Sequence, residues 1–303
     1  MTAQIRIEGL VQIIITPFHA DGTIDFDSLA RLTQAALDEG ASALTVLGVS
    51  SEAAYLDEEE RHQVVRGVLE VNRGSIPLVV GISGTDAALV AARATEAEHA
   101  GAAAVMVAPP QEGATLVDHY AAVAAAAPTL SIVVQDFPPF SHARLEPATL
   151  AALSREVETV AAIYHEDPPT PTKIEAVLAL APDVPQIGGL GGLWLPWELR
   201  AGSRAVMTGF AFPEFMAAIV SAARSGDWAR AFAIHELALP LIAWEAQPTI
   251  GLAHRKAMLV ERGLIEGATV RAPLPATPRA DVDAAELASA LASRQEQLAE
   301  AGR

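Results

Sequence analysis

Short, continuous apolar runs alternate along the chain with longer segments in which apolar residues recur every three or four positions. The runs fall at 11–15, 43–47, 78–80, 104–107, 131–134, 160–163, 186–188 and 205–208, and most are rich in valine and isoleucine. Unbroken apolar character over four or five residues suits parallel strands covered on both faces. The segments between them read as helices. That at 24–40 places Phe26, Leu29, Leu32 and Leu37 on one side and ends in glycine. The next opens with Asp57, Glu58, Glu59 and Glu60, carboxylates at the positive end of a helix dipole, and another runs to Gly101. Further helical segments follow Thr115, Pro147 and Thr170.

Eight such units predict a (β/α)8 TIM barrel over 1–212, because strict alternation forces parallel strands and closure removes both edges. The competing doubly wound open sheet lacks its G-x-G-x-x-G signature after the first strand. Beyond Pro213 the pattern is purely helical, at 214–224, 228–239, 249–263 and 284–301. The stretch 213–303 is therefore expected to be a C-terminal helical region packed on the barrel. A Pro-rich linker at 271–275 should precede the last helix.

Charge and composition narrow the function. The 303 residues carry 20 Lys+Arg against 37 Asp+Glu, a net charge of -17. No basic stripe is available to neutralise phosphates, so nucleic acid is not an expected partner. Without cysteine there is no disulfide, thiolate metal site or thiol nucleophile. The N-terminus has no basic region leading into a long apolar run, and no stretch approaches the roughly 18 apolar residues of a membrane span. A soluble, cytoplasmic protein is expected. Only two of the basic residues are lysines, Lys173 and Lys256.

Active sites of such barrels lie at the C-terminal ends of the strands. Those ends read Thr16-Pro17-Phe18, Gly48-Val49-Ser50-Ser51-Glu52, Ala108-Pro109-Pro110-Gln111, Gln135-Asp136-Phe137-Pro138, Tyr164-His165-Glu166-Asp167, Gly188-Gly189-Leu190-Gly191-Gly192 and Gly209-Phe210-Ala211. Taken in order, TPF, LGVSSEAAYLDEEER, AIYHEDPPTPTKI and MTGFAFPE resemble the dihydrodipicolinate synthase/N-acetylneuraminate lyase family over almost the whole barrel. The resemblance implies a class I aldolase that holds a 2-oxo acid as a Schiff base on a strand-six lysine. It also implies a strand-five tyrosine that relays protons and a hydroxyl-rich turn after strand two that holds the carboxylate.

Carried over residue by residue, that catalytic set is not kept. Tyr164 stands at the lysine position and Gln135 at that of the tyrosine. The carboxylate turn reads Gly48-Val49-Ser50-Ser51-Glu52, the strand-four aromatic pair falls on Pro110 and Gln111, and a pocket arginine falls on Phe140. Lys173, in the helix after strand six, and Lys256, on a tail helix, both read as surface cations. Without a lysine at the strand end, an iminium is not expected. Tyr164 has two readings, a hydrogen-bond donor or acid/base group and a simple filler of the vacated volume.

His165, Glu166 and Asp167, with Asp136 and Glu52, raise the question of a divalent ion. Neighbours on a strand alternate in direction, however, and no metal-ligand spacing occurs at the strand ends. The glycine run 188–192 reads as a turn rather than a phosphate cradle. The expectation is a barrel of lyase ancestry acting on a small oxo-acid or related polar metabolite without a Schiff base. Tyr164 and Gln135 would be catalytic, and Ser50, Ser51, Gly189 and Phe210 would bind substrate, with no metal and no cofactor. Two alternatives stand: a non-catalytic relative that binds a metabolite or an active paralogue, and a metal-dependent lyase or hydrolase. By resemblance, the protein should be a homodimer or homotetramer.

Overall fold

The computed structural model describes residues 5–273 except 85, 111–114, 249 and 272. The expected helix at 284–301, Gln111 and the first residue of the helix expected at 249–263 lie outside the described residues. Eight strands occur where the apolar runs place them: β1 (Gly9–Ile13), β2 (Ala41–Val46), β3 (Leu78–Gly81), β4 (Ala104–Val107), β5 (Ser131–Asp136), β6 (Val160–His165), β7 (Gln186–Gly188) and β8 (Ala205–Thr208). They pair in chain order, all parallel, and β8 returns to β1 with Gly9 opposite Ala205 and Gln12 opposite Thr208. The sheet is thus the closed (β/α)8 barrel that the alternation predicts.

The outer layer consists of α1 (Phe26–Asp38), α2 (Glu58–Asn72), α3 (Ala87–Ala100), α4 (Leu116–Ala126), the single turn α5 (Pro138–Ser141), α6 (Pro147–Glu156), α7 (Thr170–Leu180) and α8 (Leu195–Arg200). Local chemistry sets their ends. Asp57 accepts from the Glu60 amide while the Glu60 side chain reaches back to the Asp57 amide, a reciprocal cap that starts α2. Gly101, at φ +91°, ends α3 in a conformation that other residues adopt only with strain.

Three further helices follow the barrel: α9 (Pro213–Arg224), α10 (Trp228–Glu245) and α11 (Gly251–Glu261). The helix expected to stop at 239 instead continues through Pro240 to Glu245. Proline removes one helical hydrogen bond, but the buried face runs straight across it, from Ile234, His235 and Ala238 to Leu241, Ile242 and Glu245. Packing outweighs the lost bond. No helix among the described residues is long and apolar enough to cross a membrane.

The lumen is packed in layers drawn from alternate strands. Val11, Val79, Val133 and Ile187 come from the odd strands, whereas Ala43, Ala104, Ala162 and Ala205 come from the even ones, all fully or almost fully buried. Two residues further along the even strands stand Thr45, Met106, Tyr164 and Met207, and the small alanine layer below leaves room for their bulk. The Thr45 hydroxyl lies 3.6 Å from the Met207 sulfur. Above this layer lie the C-terminal ends of the strands. Tyr164 therefore forms part of the lumen packing and also the floor of the mouth.

Candidate active site at the barrel mouth

Residues two apart on a strand share a face, so Tyr164 and Glu166 both face the lumen whereas His165 faces the helices. Tyr164 is 2% exposed, and its hydroxyl donates to the main-chain carbonyl of Met207 at 3.1 Å. Burial, then the nearby Glu166, raises the phenol well above its ordinary value, so it stays protonated. Glu166 was not selected from the sequence as a site residue, although its i+2 relation to Tyr164 carried the signal. Its carboxylate accepts from the Gln135 side-chain amide at 2.9 Å. Burial pushes it up to about 7, against the stabilising hydrogen bond from the Gln135 amide. A carboxyl poised near neutrality can both take and return a proton.

Gln135, itself buried, belongs to this cluster. So does Gly189, where a Cβ would come within 2.8 Å of Glu166 Cγ and 2.9 Å of Tyr164 Cε2. The other sequence-selected residues are placed differently. The Phe210 side chain belongs to the outer core between barrel and helices, against Phe212. Only its main chain reaches the strand end, where its carbonyl accepts from Gln12 and its amide donates to Thr208. Ser51 is buried and donates its hydroxyl to the carbonyl of Ile14 at 2.7 Å, while Ser50 is partly exposed on the short 3-10 turn Val49–Ser51.

Neither lysine is a surface cation. Lys173 is only 9% exposed and lies between the carboxylates of Asp136 at 2.6 Å and Asp167 at 3.0 Å. Asp136 is fully buried and is raised by that burial against the pull of the ammonium. The group sits in the layer between β5, β6 and α7, outside the lumen. It could have been anticipated, since Thr170, Lys173, Ile174 and Val177 follow the i, i+3, i+4, i+7 spacing of a buried helix face. His165 shares this layer, with Nε2 2.6 Å from the Gln186 side-chain oxygen. Its pKa is lowered to about 4 by burial, which keeps the ring neutral.

Lys256 is fully buried. It contacts Glu52 at 2.5 Å, donates to the carbonyls of Thr16 and Thr269, and lies 4.4 Å from the centre of the Phe18 ring. Arg271, the first residue of the expected linker, is anchored as well. Its amide donates to Glu52, and its guanidinium holds Glu60 at 2.6 and 2.7 Å and lies 4.3 Å from the centre of the Phe18 ring that Lys256 also contacts. Among the described residues, the group able to share one metal ion is His19, Asp25 and Glu266, not the strand-six cluster, and Asp25 there already caps α1.

Two more charged groups stand near the mouth. Glu198 on α8 is held from Thr170 at 2.5 Å behind Gly188 and Gly189, and burial pushes it up to about 7. Arg255 on α11 is oriented by Glu245, with Nε donating to its carboxylate at 2.6 Å.

Comparison with known proteins gives this arrangement its context. The chain is 32% identical over 279 residues to the L-2-keto-3-deoxyarabonate dehydratase of Azospirillum brasilense, covering 89% of each. It is 31% identical over 286 residues to the 4-hydroxy-tetrahydrodipicolinate synthase of Phocaeicola vulgatus, covering 90% of this chain and 93% of that one. The crystal structure of dihydrodipicolinate synthase from Rhodopseudomonas palustris superposes with a TM-score of 0.88 at 30% identity, over 94% of this chain and 97% of that one. With the family model matched over residues 6–293, the chain belongs to the dihydrodipicolinate synthetase family of lyases.

Proposed function

We propose that this family member acts on a small 2-oxo acid by proton transfer from the lumen carboxyl Glu166, with Gln135 orienting it and no Schiff base formed. The observation that carries the reading is Glu166 itself, facing the lumen beside the tyrosine at the expected lysine position and held near pKa 7. The two lysines are engaged elsewhere, Lys173 by two carboxylates outside the lumen and Lys256 by Glu52.

Dehydration of a 3-deoxy-2-oxo acid suits a single carboxyl, in keeping with the dehydratase among the relatives. The ionised carboxylate takes the C3 proton, acidic because it lies α to the carbonyl, and leaves an enolate. The enolate re-forms the carbonyl as it expels the C4 hydroxyl, which leaves as water with the proton that Glu166 has just received. Gln135 holds the carboxylate by its amide, and Tyr164 closes the floor. The chain is proposed to work as a homodimer or homotetramer, the assembly that the family resemblance implies.

The test combines two measurements. Solvent-deuterium exchange at C3 of 2-oxo acids should be catalysed by the protein and lost in Glu166→Gln. Borohydride added with pyruvate should leave both lysines unmodified by mass spectrometry. An adduct on Lys173 or Lys256 overturns the reading. Absence of exchange or turnover with any 2-oxo acid leaves instead a non-catalytic relative. One observation favours that alternative: the hydroxyls of Ser51 and Tyr164 both bond to main-chain carbonyls.

A further inference from the structure

We infer that Arg255, reaching from α11 over the end of β8, is the residue that binds the carboxylate of an organic acid at the barrel mouth. The ligand class, a 2-oxo acid, rests on the function proposed above. The site itself does not.

Arg255 is 8% exposed. Its Nε is engaged by Glu245, whose other oxygen accepts from the amide of Ala211, so both oxygens of that carboxylate are used in fixing the arginine to the β8 loop. Neither Nη nitrogen has a hydrogen bond to a described residue. A guanidinium carries five N–H donors in a planar fork, and among the described residues only the Nε donor of Arg255 has an acceptor. Such a fork fits a carboxylate with two parallel bonds.

The fork is also aimed at the reacting end of the barrel. Nη1 lies where a Cβ on Gly209 would come within 2.9 Å of it, and that same Cβ would sit 3.5 Å from the carbonyl of Ile13, a lumen residue. Gly209 follows Met207 by two positions on the lumen face, a rise of about 6.5 Å. Met207 is the residue whose carbonyl receives the Tyr164 hydroxyl. Arg255 therefore stands about one layer above the Tyr164 floor, where its charge favours the ionised form of Glu166. The glycine is required for this approach, since any side chain at 209 would occupy the place of the guanidinium. A carboxylate held there would place the adjoining carbonyl carbon and C3 toward Glu166.

The test is a binding comparison by ligand-observed NMR, with pyruvate and acetate set against uncharged pyruvamide and acetamide. The wild-type protein should bind each carboxylate at least tenfold more tightly than its amide. Arg255→Gln should erase that preference, and Arg255→Lys should keep part of it. Gly209→Ala, which displaces the fork without removing its charge, should weaken carboxylate binding several-fold. Melting curves identify a variant that fails to fold, and the remaining two variants then carry the comparison. A wild-type protein without the preference, or an Arg255→Gln protein that retains it, overturns the inference. Retained preference without deuterium exchange supports this site and removes only the catalytic reading.

Discussion

The hydroxyl of Tyr164 on β6 donates past β7 to the main-chain carbonyl of Met207 on β8, 3.1 Å away. Where the family resemblance expects an amine, the chain thus has a neutral strut that ties β6 to β8 past β7. Tyr164→Phe should leave the Met207 carbonyl unpaired in a dry core and lower stability by about 1–2 kcal/mol in urea titrations. Because that hydroxyl is already engaged, exchange activity should fall only about threefold in the same variant. Glu166→Gln, which removes the proton acceptor, should lower activity by about 100-fold or more.

Glu166 and Glu198 both titrate near pH 7 when folded, against an ordinary value of 4.5. Between about pH 4.5 and 7 the folded chain holds protons that the unfolded chain releases, so stability falls as pH rises through this window. The part of the stability that these two carboxyls supply should be full below about pH 4.5 and lost above pH 7, opposed between about pH 4 and 6.5 by His165, which is held neutral in the fold. Glu198→Gln should flatten that dependence and, at pH 8, exceed the wild type by on the order of 2 kcal/mol. Exchange activity should show a rising limb near pH 7 that follows ionisation of Glu166. A wild-type and a Glu198→Gln protein whose midpoints differ equally at pH 5 and pH 8 would argue against Glu198 being held protonated.

Lys173 neutralises two aspartates behind the strand-five and strand-six ends. Lys173→Met leaves Asp136 buried without its cation, which should cost about 3–5 kcal/mol in equilibrium unfolding. Adding Asp136→Asn should recover a large part of the loss. The recovery separates a charge effect from a packing effect, because the second substitution restores no volume.

Lys256 and Arg271 both lie against Phe18 and both bind Glu52, tying the tail to the loops after β1 and β2. Arg271→Ala should free the tail from Glu60 and Glu52 and speed amide hydrogen exchange and proteolysis around residue 270, leaving the barrel protected. Lys256→Met should be more damaging, since it leaves the buried Glu52 carboxylate without its ammonium. Equal exchange rates in Arg271→Ala and the wild type would show that the tail is held by other contacts.

The barrel was legible in the sequence by itself. Its signals are local, in the valine- and isoleucine-rich runs such as 104–107, the Asp57–Glu60 capping sequence and the terminal glycine at 101, and closure follows from eight such units. The absence of a lysine at position 164 was equally plain. The partners of charged side chains were not, because they depend on which elements pack together. Lys173 read as a surface cation until α7 placed it against Asp136 on β5. Lys256 owes its burial to contacts more than 200 positions away at Thr16 and Glu52. Glu166 was hidden beside His165 until strand geometry turned one inward and the other outward. Arg255 gained its place only when α10 supplied Glu245 and a glycine, Gly209, followed β8. Periodicity along a chain records which face of an element is buried, whereas the match of a buried charge to its partner is decided only by the closed, packed structure.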